Sequence, residues 1–189
     1  MIGRKGVLAA VFAALLAGAL RAESPFVQAA ALQDGVTESD LKAAFLLNFA
    51  RYTEWPEAVF AGNPTEFRVG VLGPDSALEP LQRALKDKKI GGRTPKIIRG
   101  AAPKDLKSCA MVYIMESEKD QTQELLTEFK GKPILTVGET DGFGEIGGIL
   151  GFYKEDNRIK FGINPDALAR AGLKATRLIG VAPTKWRDK

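Results

Sequence analysis

The sequence predicts a single α/β domain in three layers: a mostly parallel sheet, helices on both faces and an antiparallel C-terminal hairpin. Three observations predict it. Strand-like apolar runs alternate with helix-like runs over the first two thirds of the chain, which favours parallel strands joined by crossover helices. Cys109–Met115 is apolar throughout, as a central strand covered on both faces must be. Lys154-Glu155-Asp156 is a turn-rich tripeptide between two strand-like runs and closes a hairpin.

Each element follows from local signals. Residues 23–36 are rich in Ala and Gln, with Pro25 and Gly35, and lead into the fold. Thr37-Glu38-Ser39-Asp40 supplies cap residues; Leu41, Phe45, Asn48/Phe49 and Tyr52 then recur at helical spacing until Pro56 stops the helix at or near Trp55. Ala43, Leu46, Leu47 and Ala50 fill much of the remaining circumference. Such a helix must be buried on several sides, within its own domain or against another chain. Phe67–Leu72 reads as a buried strand ended by Gly73-Pro74, and Ser76–Lys88 as a helix with Leu78, Leu81 and Leu85 on one face, ended by Gly91-Gly92. Pro95–Ile98 is the second strand and Cys109–Met115 the third. Ser117–Phe129 opens with a serine placed to cap and with acids, so it is a helix. Ile134–Val137 is the fourth strand; Gly148–Tyr153 and Asn157–Ile163 form the hairpin. Pro165–Ala171 and about Ala175–Ala182 are short helices around Gly172. The domain therefore covers residues 38–182, and 183–189 is a polar tail.

Composition narrows the chemistry. The 189 residues, 45% hydrophobic and 26% charged, suit one globular domain. There is no histidine, which excludes Ser-His-Asp and Cys-His catalysis, His-containing zinc sites and a His pH switch. Cys109 is the only cysteine and can form neither an intramolecular disulfide nor a Cys₄ site. At the N-terminus, Arg4 and Lys5 precede the uncharged run Val7–Leu20. That is a secretory leader, too short for the roughly 20 residues that span a bilayer. Cleavage after Ala22 keeps the usual distance from the apolar run, while Val27-Gln28-Ala29 has better small-residue chemistry and moves the latest cleavage to residue 31. Removing residues 1–22 takes away Arg4, Lys5 and Arg21 and no acid, so the formal charge falls from +4 to +1. A nucleic-acid partner has no electrostatic support at that charge. The expected location is the periplasm, reached by a cleaved signal peptide.

Local motifs have plain readings. Gly142-Phe143-Gly144-Glu145-Ile146-Gly147 fits G-x-G-x-x-G, but a strand rather than a helix follows it, so it reads as a glycine loop and no cofactor is implied. Glu139, Asp141 and Glu145 could hold a hard cation, yet lack an EF-hand pattern and read as solvated loop acids. Glu116, Glu118 and Asp120 complement a helix dipole. Cys109 reads as a buried, unpaired structural thiol. Tyr52, Trp55 and Pro56 close the first helix and serve either as core or as a binding anchor. Glu155, Asp156, Asn157 and Arg158 read most simply as turn residues with a solvated charge pair, and Glu155, Asn157 and Arg158 alternatively as recognition residues, since recognition commonly resides in exposed loops. Tyr52, Trp55, Pro56, Glu155, Asn157 and Arg158 are the candidate partner-binding set.

The chain resembles the YfiR family of periplasmic regulators. The residues that carry the resemblance are Leu41-Lys42-Ala43-Ala44-Phe45-Leu46-Leu47-Asn48-Phe49-Ala50-Arg51-Tyr52-Thr53-Glu54-Trp55-Pro56, Val69-Gly70-Val71-Leu72-Gly73, Gly91-Gly92-Arg93 and the strand at Cys109. They continue with Ile134-Leu135-Thr136-Val137, Gly147-Gly148-Ile149, Asn157-Arg158-Ile159-Lys160-Phe161-Gly162-Ile163-Asn164 and Ala169-Arg170-Ala171-Gly172-Leu173. The resemblance implies an α/β domain, often a homodimer, that represses an inner-membrane diguanylate cyclase or sensor kinase through its periplasmic part and so controls cyclic di-GMP and biofilm formation. It also implies disulfides in some relatives, one joining the strand of Cys109 to the first strand. The nearest equivalent on that first strand here is Gly70, so disulfide sensing does not carry over.

Three functional classes follow. The first is a non-enzymatic periplasmic regulator acting by contact with its membrane partner. The second is a periplasmic small-ligand binding module using the carboxyl ends of the parallel strands. The third, an enzyme built on Asp, Glu or Lys, has no nameable nucleophile–base pair.

Overall fold

The computed structural model describes residues 36–75, 78–100, 102–180, 182 and 186. The leader over residues 1–22, with its alternative cleavage up to 31, lies outside the described residues, as do Ser76 and Ala77 at the expected start of the second helix. The elements run α1 (Glu38–Tyr52), β1 (Glu66–Leu72), α2 (Leu78–Leu85), β2 (Thr94–Arg99), β3 (Met111–Ile114), α3 (Lys119–Phe129), β4 (Leu135–Gly138), β5 (Leu150–Glu155), β6 (Arg158–Ile163), α4 (Pro165–Arg170) and α5 (Thr176–Ile179). The sheet order is β2-β1-β3-β4-β5-β6. Pairing is parallel from β2 through β5, and β6 returns antiparallel to β5. The α/β architecture with a C-terminal hairpin is thus observed.

Each face of the sheet carries its own core. Against one face, α1 lays Ala43, Leu46, Phe49 and Ala50 over Val69, Val71, Tyr113 and Val137, with Leu81 and Leu85 of α2 and Leu178 of α5 completing the layer. Against the other, Leu125, Leu126 and Phe129 of α3 meet Leu72, Val112 and Ile114. The side chains of β3 are buried at all four positions, which is why its sequence shows no alternation. Burial of α1 on several sides is met inside the domain. Thr37 starts that helix with a capping box: its hydroxyl accepts from the Asp40 N–H, and the Asp40 carboxylate accepts from the Thr37 N–H.

Some boundaries differ from expectation. Helix α1 ends at Tyr52, not near Trp55, because Thr53 turns extended (φ −99°, ψ 143°) and Glu54 bridges to Lys174, its N–H donating to the Lys174 carbonyl at 2.8 Å. Ser117 does not cap α3. Glu116–Glu118 forms a 3₁₀ turn instead, and the Ser117 hydroxyl donates to Glu118. Further 3₁₀ turns at Glu57–Phe60 and Pro103–Leu106 have no apolar period to announce them. Helix α5 is one turn, shorter than Ala175–Ala182. Within the segment assigned as polar tail, Trp186 is buried, its indole filling the space beside Gly144 and Gly151. Among the described residues, no helix is long and apolar enough to cross a membrane.

Candidate functional site

The six candidate residues fall into two groups at opposite ends of the sheet. The first follows α1. Once Thr53 leaves the helix, the chain carries Trp55 under the amino ends of β1 and β3. There its Nε1–H donates to the Ala110 carbonyl at 2.9 Å, and its ring meets Phe67 edge-on at 5.0 Å. Trp55 is half-buried and packs on the main core. Tyr52 is half-buried beneath the Arg177 guanidinium, 5.6 Å from its ring centre, and Pro56 is exposed.

The second group is the hairpin tip. Strand β5 pairs with β4 only at Leu150 and Gly151, so Phe152–Glu155 projects beyond the carboxyl end of the parallel sheet. Asp156 (φ 51°) and Asn157 (φ 57°) form the tight turn with both residues left-handed, the conformation that short polar side chains tolerate. Glu155 and Arg158 face one another across it, Glu155 also pairs with Lys160, and the tip is exposed. At about 1.5 Å per residue, the 15-residue α1 separates the two groups by roughly 22 Å. They do not form one patch.

A charged chain ties α1 to the carboxyl ends of the strands. Lys154 pairs with Glu38 (2.7 Å), Glu38 with Lys42 (2.7 Å) and Lys42 with Glu139 (2.8 Å). The Tyr113 hydroxyl donates to Glu139, whose second oxygen accepts from the Glu116 N–H at 3.3 Å. Glu139 is therefore not a solvated loop acid: its side chain is 11% exposed and fully engaged. Burial and the adjacent Glu139 carboxylate hold the Tyr113 phenol well above its ordinary range. For Lys42, burial works to lower the ammonium pKa, but hydrogen bonds to Glu139 and Glu38 outweigh it and hold the pKa above its usual value. Sequence reasoning missed this chain because its members are scattered over α1, β3, β5, the 3₁₀ turn at Glu116 and the loop after β4. No local pattern in the sequence announces these pairings.

The glycine loop is a packing device. β5 begins at Leu150, where a phosphate-binding helix would have to start. A Cβ at Gly148 would lie 2.1 Å from the Phe143 ring, and one at Gly144 would lie 2.3 Å from Trp186. Buried Asn164 locks the loop, donating from Nδ2 to the Gly144 carbonyl (2.8 Å) while its Oδ1 accepts from the Asp166 and Ala167 N–H groups and caps α4. Cys109 is buried and free, with burial pushing its thiol up to about 11. Among the described residues, no cluster of acids and cysteine is arranged to hold a metal ion. Compared with known families, residues 39–182 match the family model described as YfiR/HmsC-like, which covers the described domain almost end to end.

Proposed function

The chain belongs to the YfiR/HmsC-like family, and on that premise we propose that it is a non-enzymatic periplasmic regulator that binds and represses the periplasmic part of an inner-membrane diguanylate cyclase or sensor kinase. The family match over residues 39–182 carries this reading: membership supports a periplasmic role in diguanylate cyclase signalling. The physics required is modest. Holding an evenly balanced partner about 99% inactive takes a hundredfold preference for one state, about 2.7 kcal/mol. An exposed turn such as Glu155–Arg158 can supply that through one or two well-placed contacts. Against the small-ligand module stands the chain of Glu38, Lys42, Glu139 and Tyr113, which occupies the strand ends where a solute would dock.

The experiment is genetic and biochemical together. Deleting the gene should raise cyclic di-GMP, and the mature protein should co-purify with a solubilised inner-membrane cyclase or kinase. Arg158→Ala with Glu155→Ala should leave thermal stability within about 0.5 kcal/mol, as exposed substitutions do, and should weaken repression. Unchanged cyclic di-GMP in the deletion, with no membrane protein captured, would overturn the reading.

A further inference from the structure

β2 is the outer strand on the side away from the hairpin, and among the described residues no strand pairs with its outer flank. The Thr94 N–H donates to the Thr65 carbonyl (2.9 Å) and the Gly100 N–H to the Val71 carbonyl (3.2 Å). By alternation, Lys96 and Ile98 also turn their main chain towards β1, while Pro95, Ile97 and Arg99 turn theirs outward. Pro95 has no N–H to offer. Ile97 and Arg99 each present a donor and an acceptor. Beside this edge runs a groove of about 830 Å³ between β2 and the end of α2. Leu85, Pro95 and Ile97 give it an apolar wall, and the exposed Lys86, Lys88 and Lys89 stand around it. Two acids also line it. Glu79 is paired with Arg83, leaving Asp87 alone against the three lysines.

A free strand edge, an apolar wall and a one-sided positive rim select a ligand by chemistry. We propose that this groove takes an extended acidic peptide segment, laid along β2, with its main chain bonded to Ile97 and Arg99 and its carboxylates against Lys86, Lys88 and Lys89. A second copy of β2 is the wrong occupant, because it would bring Lys96 and the same rim lysines against themselves. A lipid surface fits less well, because Ile97, whose main chain offers an outward donor and acceptor, lines a groove rather than a face that a bilayer could meet. The proposal rests on the regulatory reading only for the owner of the segment, the periplasmic part of the membrane partner.

The test uses the full mature chain and a fluorescein-labelled peptide of about ten residues alternating glutamate and threonine, with a lysine–threonine peptide as control. Fluorescence anisotropy should show binding of the acidic peptide alone, weakening as salt rises from about 0.05 to 0.5 M because the Debye length shrinks severalfold. Replacing the rim by Lys86→Glu, Lys88→Glu and Lys89→Glu should weaken it by about tenfold or more, the sum of three exposed ion pairs. Ile97→Pro removes an outward N–H that makes no bond within the sheet, and should weaken the peptide without abolishing the rim's charge effect. Equal binding by wild type and the triple variant overturns the proposal, as does binding of phosphatidylglycerol vesicles that the acidic peptide cannot displace. In cells, repression surviving the triple substitution while gene deletion relieves it would sink the groove and leave the regulator standing. Deletion without effect would sink the regulator, whatever the peptide does.

Discussion

Cys109 has no partner in this chain, yet the geometry opposite it is that of half a disulfide. A Cβ added to Gly70 on β1 would lie 3.2 Å from Cys109 Sγ. In a formed disulfide, with its S–S bond of about 2.05 Å, each Cβ sits about 3 Å from the partner sulfur. Gly70 has no left-handed φ that would require glycine. Gly70→Cys should therefore pair with Cys109 under oxidising conditions and close a loop of about 39 residues, worth about 4 kcal/mol by loop entropy. Packing opposes this. The new Cβ falls 2.9 Å from Leu106 Cδ2 and 3.2 Å from Val112 Cγ2 in a filled layer, and overpacking costs about 1–3 kcal/mol. The oxidised variant should be more stable than wild type by about 1–3 kcal/mol, and the reduced variant less stable by the packing cost. Urea unfolding with and without dithiothreitol, alongside thiol titration of the denatured protein, reads both. Two free thiols after oxidation would refute the geometry, and identical urea midpoints with and without reductant would refute the energetics.

Other expectations follow from single contacts. Trp55→Phe keeps a ring beside Phe67 but strips the Ala110 carbonyl of its donor, so urea unfolding should report a loss of about 1–3 kcal/mol; an unchanged midpoint would mean that the indole N–H contributes nothing. Gly148→Ala drives a methyl into the Phe143 ring and should cost about 1–3 kcal/mol, partly recovered in a double variant with Phe143→Leu; strict additivity would count against the clash. Acid should destabilise the fold. Glu38 is held below the usual carboxylate range by Lys154 and Lys42, and Glu66 by Lys96 and Arg68, while the Thr37 hydroxyl and then Arg83 lower Asp40 to about 2. Folded values below unfolded ones mean stability that is present above about pH 4.5 and lost as pH falls towards 2. The thermal midpoint should drop between pH 7 and pH 3, and a rise there would contradict the assigned ion pairs.

Legibility in the sequence followed range. The strands of the parallel sheet were readable because Phe67–Leu72 and Cys109–Met115 are apolar enough to exclude other elements, and the hairpin because its turn is polar and short. Helix α1 was readable as a helix, but its end was not. Pro56 forbids continuation without saying where it stops, and the stop was set by the bridge from Glu54 to Lys174, 120 residues away in sequence. Pairs such as Lys42 with Glu139 leave no local trace, so Glu139 looked like any loop acid. Trp186 was hidden for the same reason: a lone aromatic among polar neighbours is legible only beside the glycines whose missing side chains make room for it. Of the candidate site, the hairpin tip was legible as an exposed turn. That it lies a helix length from Trp55 was not, since sequence order says nothing about which end of a sheet a loop occupies.

That separation bears on how a partner is held. The apolar circumference of α1 is consumed by the sheet, α2 and α5, and among the described residues the large hydrophobics left exposed are Val36 and Ile179, at 43% each. An obligate interface, built like a domain core cut in half, would have left a wider apolar face uncovered. A reversible one needs no excess apolarity, only a few buried contacts inside a polar rim. The surfaces that remain, the charged hairpin tip and the lysine-rimmed edge of β2, are of the second kind, and they flank opposite sides of one sheet. Contacts of that sort are screened by salt and let go quickly when the partner changes state. On the proposed function, the chain must hold firmly enough to bias its partner by a few kcal/mol and still release it on demand. Polar edges of this kind would meet both requirements, where a large apolar face would meet only the first.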